Sequence, residues 1–165
     1  MNSTWIVLGA TSSMARAFAR QAAAQGAGVL LAGRDRDDLA ALAADCSLRG
    51  ARFAEAVAFD ARDASGFAAL IERMTREDGE LNAAVFVGSM PEQTAIDTDP
   101  SLIDGTVTDS FSGPARFLQM LAPEIEARGG GTVVGVGSVA GDRGRIGNYV
   151  YGAAKAGFAT YLSGL

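Results

Sequence analysis

Short apolar runs alternate along the chain with longer, alanine-rich stretches of helical spacing. Trp5-Ile6-Val7-Leu8 predicts a first strand, and the pattern from about Ser13 to Gln25 predicts a helix. Gly26-Ala27-Gly28 breaks that helix ahead of a second strand, Val29-Leu30-Leu31-Ala32. Asp35 and the acids after it open a second helix that runs to about Leu48. Phe53 to Phe59 predicts a third strand, Asp63 to Glu77 a third helix, and Ala83 to Val87 a fourth strand. A long helical region from about Ser101 to Arg128 stops at Gly129-Gly130-Gly131, and Thr132 to Val136 follows as a fifth strand. A loop, Ser138 to Asn148, leads to a last helix from about Tyr149 to the end.

Strands buried on both faces read as unbroken apolar runs, as these do. Their alternation with helices predicts an α/β architecture, a doubly wound parallel sheet with helices on both faces. The chain shows no internal repeat or linker, so residues 1–165 form one unit. The final helix, Ala159 to Leu165, carries no polar tail. A sheet ending on the fifth strand would leave one edge uncovered, so the C-terminal strands of the fold are expected to be absent from this chain.

Composition narrows the chemistry. With 48% hydrophobic residues and 20% charged ones the chain can bury a core. A formal charge of −5 removes the basic footprint of a nucleic-acid binder. There is no histidine, the commonest general base and zinc ligand, and one cysteine, Cys46, excludes an internal disulfide or a cysteine metal cluster. No metal site is expected. The start lacks a basic stretch before an apolar one, and no apolar run is long enough to span a bilayer, so a soluble cytoplasmic protein is expected. Lys155 is the single lysine in a chain otherwise basic through arginine. A compact ammonium is something arginine cannot replace.

After the first strand comes Gly9-Ala10-Thr11-Ser12-Ser13-Met14-Ala15. A glycine at the strand end permits a tight turn, and free N–H groups at the following helix start suit a pyrophosphate, although an ordinary strand-to-helix turn also tolerates these residues. At the end of the second strand Ala32-Gly33-Arg34 offers no carboxylate for a ribose 2′-hydroxyl. Arg34 could instead form paired bonds to a 2′-phosphate, or simply begin a helix in solvent. Asp60 could accept from an adenine amino group or cap a helix.

Tyr151 and Lys155 lie four apart, on one helix face. An ammonium beside a phenol favours the phenolate, which would make Tyr151 a usable proton carrier in a protein without histidine. Ser138 ends the fifth strand, at the carboxyl edge where such sheets bind ligands.

These residues resemble the short-chain dehydrogenase/reductase family over Trp5 to the last residue. The likeness rests on Gly9 to Ala15, Asp60, Ser138 and the Tyr151-x-x-x-Lys155 pair. It implies a Rossmann-like sheet of strand order 3-2-1-4-5 and hydride transfer between a nicotinamide and a carbonyl or alcohol carbon. With Arg34 at the end of the second strand, NADP(H) is expected in preference, with NAD(H) left open. Tyr151 would give or take the oxygen's proton, Lys155 would tune it and bind the nicotinamide ribose, and Ser138 would position the substrate oxygen. Gly9, Thr11, Ser12, Ser13, Met14, Arg34, Asp60 and Gly88 would join Tyr151 and Lys155 around the cofactor. A homodimer or homotetramer is expected by resemblance alone. The segment from Ala140 through Arg145 to Tyr151 looks like the branch that reduces lipid-linked keto-sugars in mycobacterial arabinan synthesis.

The chain departs from the family pattern. Ser13 and Ala15 stand where the family turn has glycines, and Phe86-Val87-Gly88-Ser89 replaces Asn-Asn-Ala-Gly. Ser110 occupies the place of the family's catalytic asparagine, which puts the proton relay in question. Two other readings follow from the sequence: a dinucleotide-binding sensor or scaffold with little turnover, and a flavodoxin-like phosphate-binding module.

Overall fold

Side chains alternate across a strand, so an apolar run buries both faces only if each face has its own helical layer. The computed structural model, which describes residues 2–165, has this arrangement. Strands β1 (Ser3–Leu8), β2 (Gly28–Gly33), β3 (Phe53–Ala58), β4 (Glu80–Val85) and β5 (Val133–Gly135) form one parallel sheet of order β3-β2-β1-β4-β5. Leu8 lies opposite Ala32 on one side and Val85 on the other, and Val85 lies opposite Gly135, which aligns the carboxyl ends of the central strands. The predicted fold class is therefore found in the structure.

Ile6, Leu8, Leu30, Ala83 and Val85 point into one core, with Phe67, Phe117, Leu121 and Phe158 packed over them. Those residues come from α3 (Phe67–Thr75), α6 (Gly113–Ala127) and α7 (Tyr149–Gly164). Val7, Val29 and Leu31 point the other way, against Ala15, Ala19, Leu39, Leu42 and Cys46 of α1 (Ser13–Ala24) and α2 (Arg36–Leu48). Small alanines let α1 lie close to the sheet, whereas Phe59, Phe67 and Phe117 fill the wider opposite layer, their ring centroids 5.2–5.5 Å apart.

Several boundaries differ from the sequence expectation, three of them in the stretch from β4 to α6. β4 starts at Glu80 and ends at Val85, so Phe86 and Val87 belong to the loop at its carboxyl end. A short helix, α4 (Gln93–Thr98), occupies a stretch whose Pro91, Asp97 and Asp99 mask any periodicity. The long helix from Ser101 is broken into α5 (Leu102–Val107), a π-helical turn (Thr108–Ser112) and α6. Pro114 has no N–H to return to the Ser110 carbonyl, which interrupts the regular ladder at that point. A Cβ at Gly113 would lie 2.3 Å from the Ala61 carbonyl oxygen, so only glycine lets the start of α6 sit this near the loop after β3. No helix among the described residues is long and apolar enough to cross a membrane.

Candidate active site

The turn after β1 is fixed by backbone. The N–H groups of Gly9 and Ala10 both donate to the Ala32 carbonyl of the neighbouring strand, at 2.9 and 3.1 Å. Gly9 has φ +78°, and a Cβ there would lie 3.0 Å from the Val87 backbone nitrogen. Ser12 caps α1, its hydroxyl accepting from the Ala15 N–H at 3.3 Å. Ala15 is buried against the sheet, so alanine satisfies the helix-packing position.

Gly9, Thr11, Ser12, Arg34, Asp60 and Gly88 line a single cleft above the carboxyl ends of β1 to β4, joined by Phe59, Phe86 and Asp109. Ser13 and Met14, also expected at the cofactor, stand exposed on the first turn of α1 and do not line this cleft. Arg34 is exposed and makes no ion pair among the described residues. Arg36, which sequence reasoning passed over, shares with Arg34, Asp60 and Ser65 a pocket beside the cleft. The Arg-x-Arg spacing was the available signal. Asp60 lies two residues beyond β3, where its carboxylate accepts from the Arg62 N–H at 2.9 Å.

The second group of residues comes from the far side of the sheet. Ser138 follows β5 and opens a 3-10 turn, its hydroxyl accepting from the Ala140 N–H at 3.2 Å. Helix α7 folds back onto that turn at glycine contacts. A Cβ on Gly152 would lie 2.4 Å from the Ala140 carbonyl oxygen, and one on Gly141 3.0 Å from the Ala156 nitrogen. This close approach brings the helix of Tyr151 against the turn of Ser138. Tyr151 is half-buried.

Lys155 is 4% exposed. Its Nζ donates to the Val136 carbonyl at 2.9 Å and to the Val87 carbonyl at 3.5 Å, bridging the ends of β5 and β4. Burial pushes its pKa below the usual lysine value. The amine thus reaches strand-end carbonyls beside the cleft, and Gly88 lies next to it: a Cβ there would be 3.6 Å from Nζ and 3.4 Å from the Ser110 hydroxyl. Ser110 is fully buried in the π-helical turn, a feature that often marks functional sites.

The model of the family described as short chain dehydrogenase matches residues 3–165. The chain belongs to that family. An oxidoreductase of Mycobacterium tuberculosis is 35% identical over 161 residues, covering 97% of this chain and 64% of the relative. A sulfoacetaldehyde reductase of Chromohalobacter salexigens is 36% identical over 155 residues, covering 91% of this chain and 60% of the relative. Among solved structures, a short-chain dehydrogenase from Sphingobium yanoikuyae in complex with NADPH aligns with a TM-score of 0.86 at 28% identity, covering 100% of this chain and 65% of that one. The chain therefore spans a little under two thirds of the length of these short chain dehydrogenase relatives.

In this short chain dehydrogenase, the loop after β4 begins at Phe86, which packs against the layer of α1. Phe86 packs on Phe18 with centroids 5.7 Å apart, and Phe18 packs edge-on against Trp5 at 4.9 Å. Aromatic packing anchors this loop from the α1 side.

Proposed function

We propose that this chain is the cofactor-binding and catalytic portion of an NADP(H)-dependent reductase or dehydrogenase acting on a small carbonyl or alcohol. What supports the reading is that the Gly9 turn lines the cleft while Lys155, on the helix packed against the Ser138 turn, reaches the strand-end carbonyls of Val136 and Val87, although Ser138, Tyr151 and Lys155 do not themselves line that cleft. A ligand extending from the cleft along the carboxyl edge of the sheet would meet both turns and the helix.

The residues present fit a dinucleotide. Gly9 puts no Cβ into the turn ahead of α1, and the first N–H groups of a helix have no partners within it, the Ser12 hydroxyl taking that of Ala15. Arg34 and Arg36 supply cationic donors beside the ribose end, which supports the 2′-phosphorylated cofactor. Gly88 leaves room for a ring beside Lys155. When bound, NADP(H) supplies or accepts the hydride.

The protein's part is to hold the oxygen and move its proton. Tyr151 donates its hydroxyl proton to a carbonyl oxygen in reduction and accepts it in the reverse direction. Ser138 donates a second hydrogen bond to that oxygen and keeps it facing Tyr151. Lys155 has three N–H donors, two of them directed at the Val136 and Val87 carbonyls, which leaves one for a ribose hydroxyl. Ser110 supports the loop that carries Gly88. The named relatives include an aldehyde reductase, which agrees with an aldehyde or ketone as the oxidised substrate.

The test is Tyr151→Phe in the full chain. NADPH oxidation across a panel of aldehydes and ketones should disappear while NADPH binding, read by its fluorescence, is retained. Undiminished turnover would remove Tyr151 from the chemistry. No turnover by the unmodified chain, with NADPH bound, would favour a dinucleotide sensor.

A further inference from the structure

Helix α7 presents Tyr151 within its first turn, yet it lacks its own cap. Asn148 makes no side-chain bond to the first-turn N–H groups, and no acidic residue lies in that turn. The missing acceptor comes from α4. Gln93, only 4% exposed, accepts from the Val150 N–H through Oε1 at 3.3 Å. Its Nε2 donates to Asp97 Oδ1 at 3.1 Å, and the Tyr149 hydroxyl donates to the same oxygen at 2.8 Å. Gln93 and Asp97 are one turn apart on α4, so both face the start of α7. A carboxylate at that place also complements the positive end of the helix.

We infer that Gln93 is a positioning residue for the reaction: through the Val150 N–H, and braced by Asp97 and Tyr149, it sets the first turn of α7 and hence the place of the Tyr151 hydroxyl. The inference rests on the reductase reading given above. A buried amide whose two ends bond two different elements has one workable orientation, and loss of either bond leaves a polar group unsatisfied. The two hydrogen bonds to Asp97 hold its carboxyl below the usual range, and Asp97 in turn raises the Tyr149 phenol, in keeping with an ionised carboxylate at the centre of the clasp. Because Val150 is adjacent to Tyr151, a small rotation of this turn moves the proton carrier directly, while the Gly9 turn and Arg34 lie on other elements and stay in place.

The experiment uses the full chain with NADPH and ethyl acetoacetate, or whichever carbonyl of a panel turns over fastest. Gln93→Leu should lower kcat by about tenfold, the scale of a sub-ångström misplacement of a reacting group, with the NADPH dissociation constant unchanged. Gln93→Glu alone sets two carboxylates against each other and should also lose kcat. The swap Gln93→Glu with Asp97→Asn keeps an acceptor for the Val150 N–H and reverses the bond between the two side chains, the new amide nitrogen at position 97 donating to the carboxylate and to the Tyr149 hydroxyl oxygen, and should restore the unmodified kcat. A residue that merely stabilised the fold would change the melting temperature without this kcat pattern. Unchanged kcat in Gln93→Leu while Tyr151→Phe is inactive overturns the positioning role and leaves the reductase reading intact, as does a swap that fails to restore kcat although it binds NADPH normally. Should Gln93→Leu not fold, Gln93→Glu against the swap gives the same decision. Absence of turnover in the unmodified chain removes the reductase reading and this inference together.

Discussion

The Ser110 hydroxyl holds both backbone groups of Ser89, accepting from its N–H and donating to its carbonyl, each at 3.2 Å. One side chain thereby ties the π-helical turn ahead of α6 to the loop that leaves β4. That loop also supplies the Val87 carbonyl to Lys155 and places Gly88 between Lys155 and Ser110. A serine thus braces the loop from the turn.

Ser110→Ala should therefore weaken both the fold and the site. It leaves the Ser89 N–H and carbonyl without their partner in a half-buried loop, a loss of about 1–3 kcal/mol for unsatisfied groups. Urea unfolding measures that cost, and NADPH-linked turnover should fall with it. A stability equal to the unmodified chain would mean that the loop does not depend on this hydroxyl.

Arg34→Ala should act on cofactor choice rather than on chemistry. Charge-assisted hydrogen bonds to a phosphate contribute about 1.5–3 kcal/mol, so KM for NADPH should rise by roughly 10- to 150-fold while KM for NADH hardly moves. Steady-state kinetics with both cofactors check it. Equal losses for the two would place Arg34 away from the 2′-phosphate. Arg36→Ala, in the same pocket, should give a smaller shift of the same kind.

Much of this arrangement was legible in the sequence because it depends on local rules. The strands announced themselves as apolar runs, and the strand order follows from their alternation with helices together with the family resemblance. The Tyr151–Lys155 spacing put both residues on one helix. What the sequence hid depends on contacts between distant segments. Helix α4 follows a proline and contains little apolar patterning, being held instead by Ile96 in the core and by Gln93 against α7. The π-helical turn is accompanied by Gly113 meeting the loop after β3 and by Pro114 having no N–H, neither of which changes the hydrophobic period. The Lys155 hydrogen bonds go to strand-end carbonyls, which carry no residue signature at all.

Gly9→Ala tests the turn after β1. The residue has φ +78°, a conformation that costs a side chain about 1–2 kcal/mol, and its Cβ would meet Val87 at 3.0 Å. Relief would come by moving the loop after β4 or by opening the turn, and either change spoils the cleft. The variant should unfold at lower urea concentration and bind NADPH more weakly, as read by fluorescence titration. Unaltered NADPH affinity would show that the cofactor does not approach this backbone.

Lys155 links the site to pH. Burial holds its folded pKa below the usual 10.5, so the unfolded chain binds that proton more tightly than the folded one does. Below the folded value both states are protonated, and the cost of burying the ammonium is present in full. As pH rises through the folded value towards 10.5 the folded amine loses its proton first, so this cost shrinks and stability increases. Lys155→Met carries no such charge. The difference in unfolding free energy between the unmodified chain and Lys155→Met should therefore shift in favour of the unmodified chain as pH climbs through that window. Urea titrations at a series of alkaline pH values measure it, with other titrating groups cancelling between the two proteins. The variant should lack turnover at every pH, since a thioether offers no donor to a ribose hydroxyl. A stability difference independent of pH would mean that the amine keeps its water in the folded chain, and that the bridge from β5 to β4 is looser than its carbonyl contacts imply.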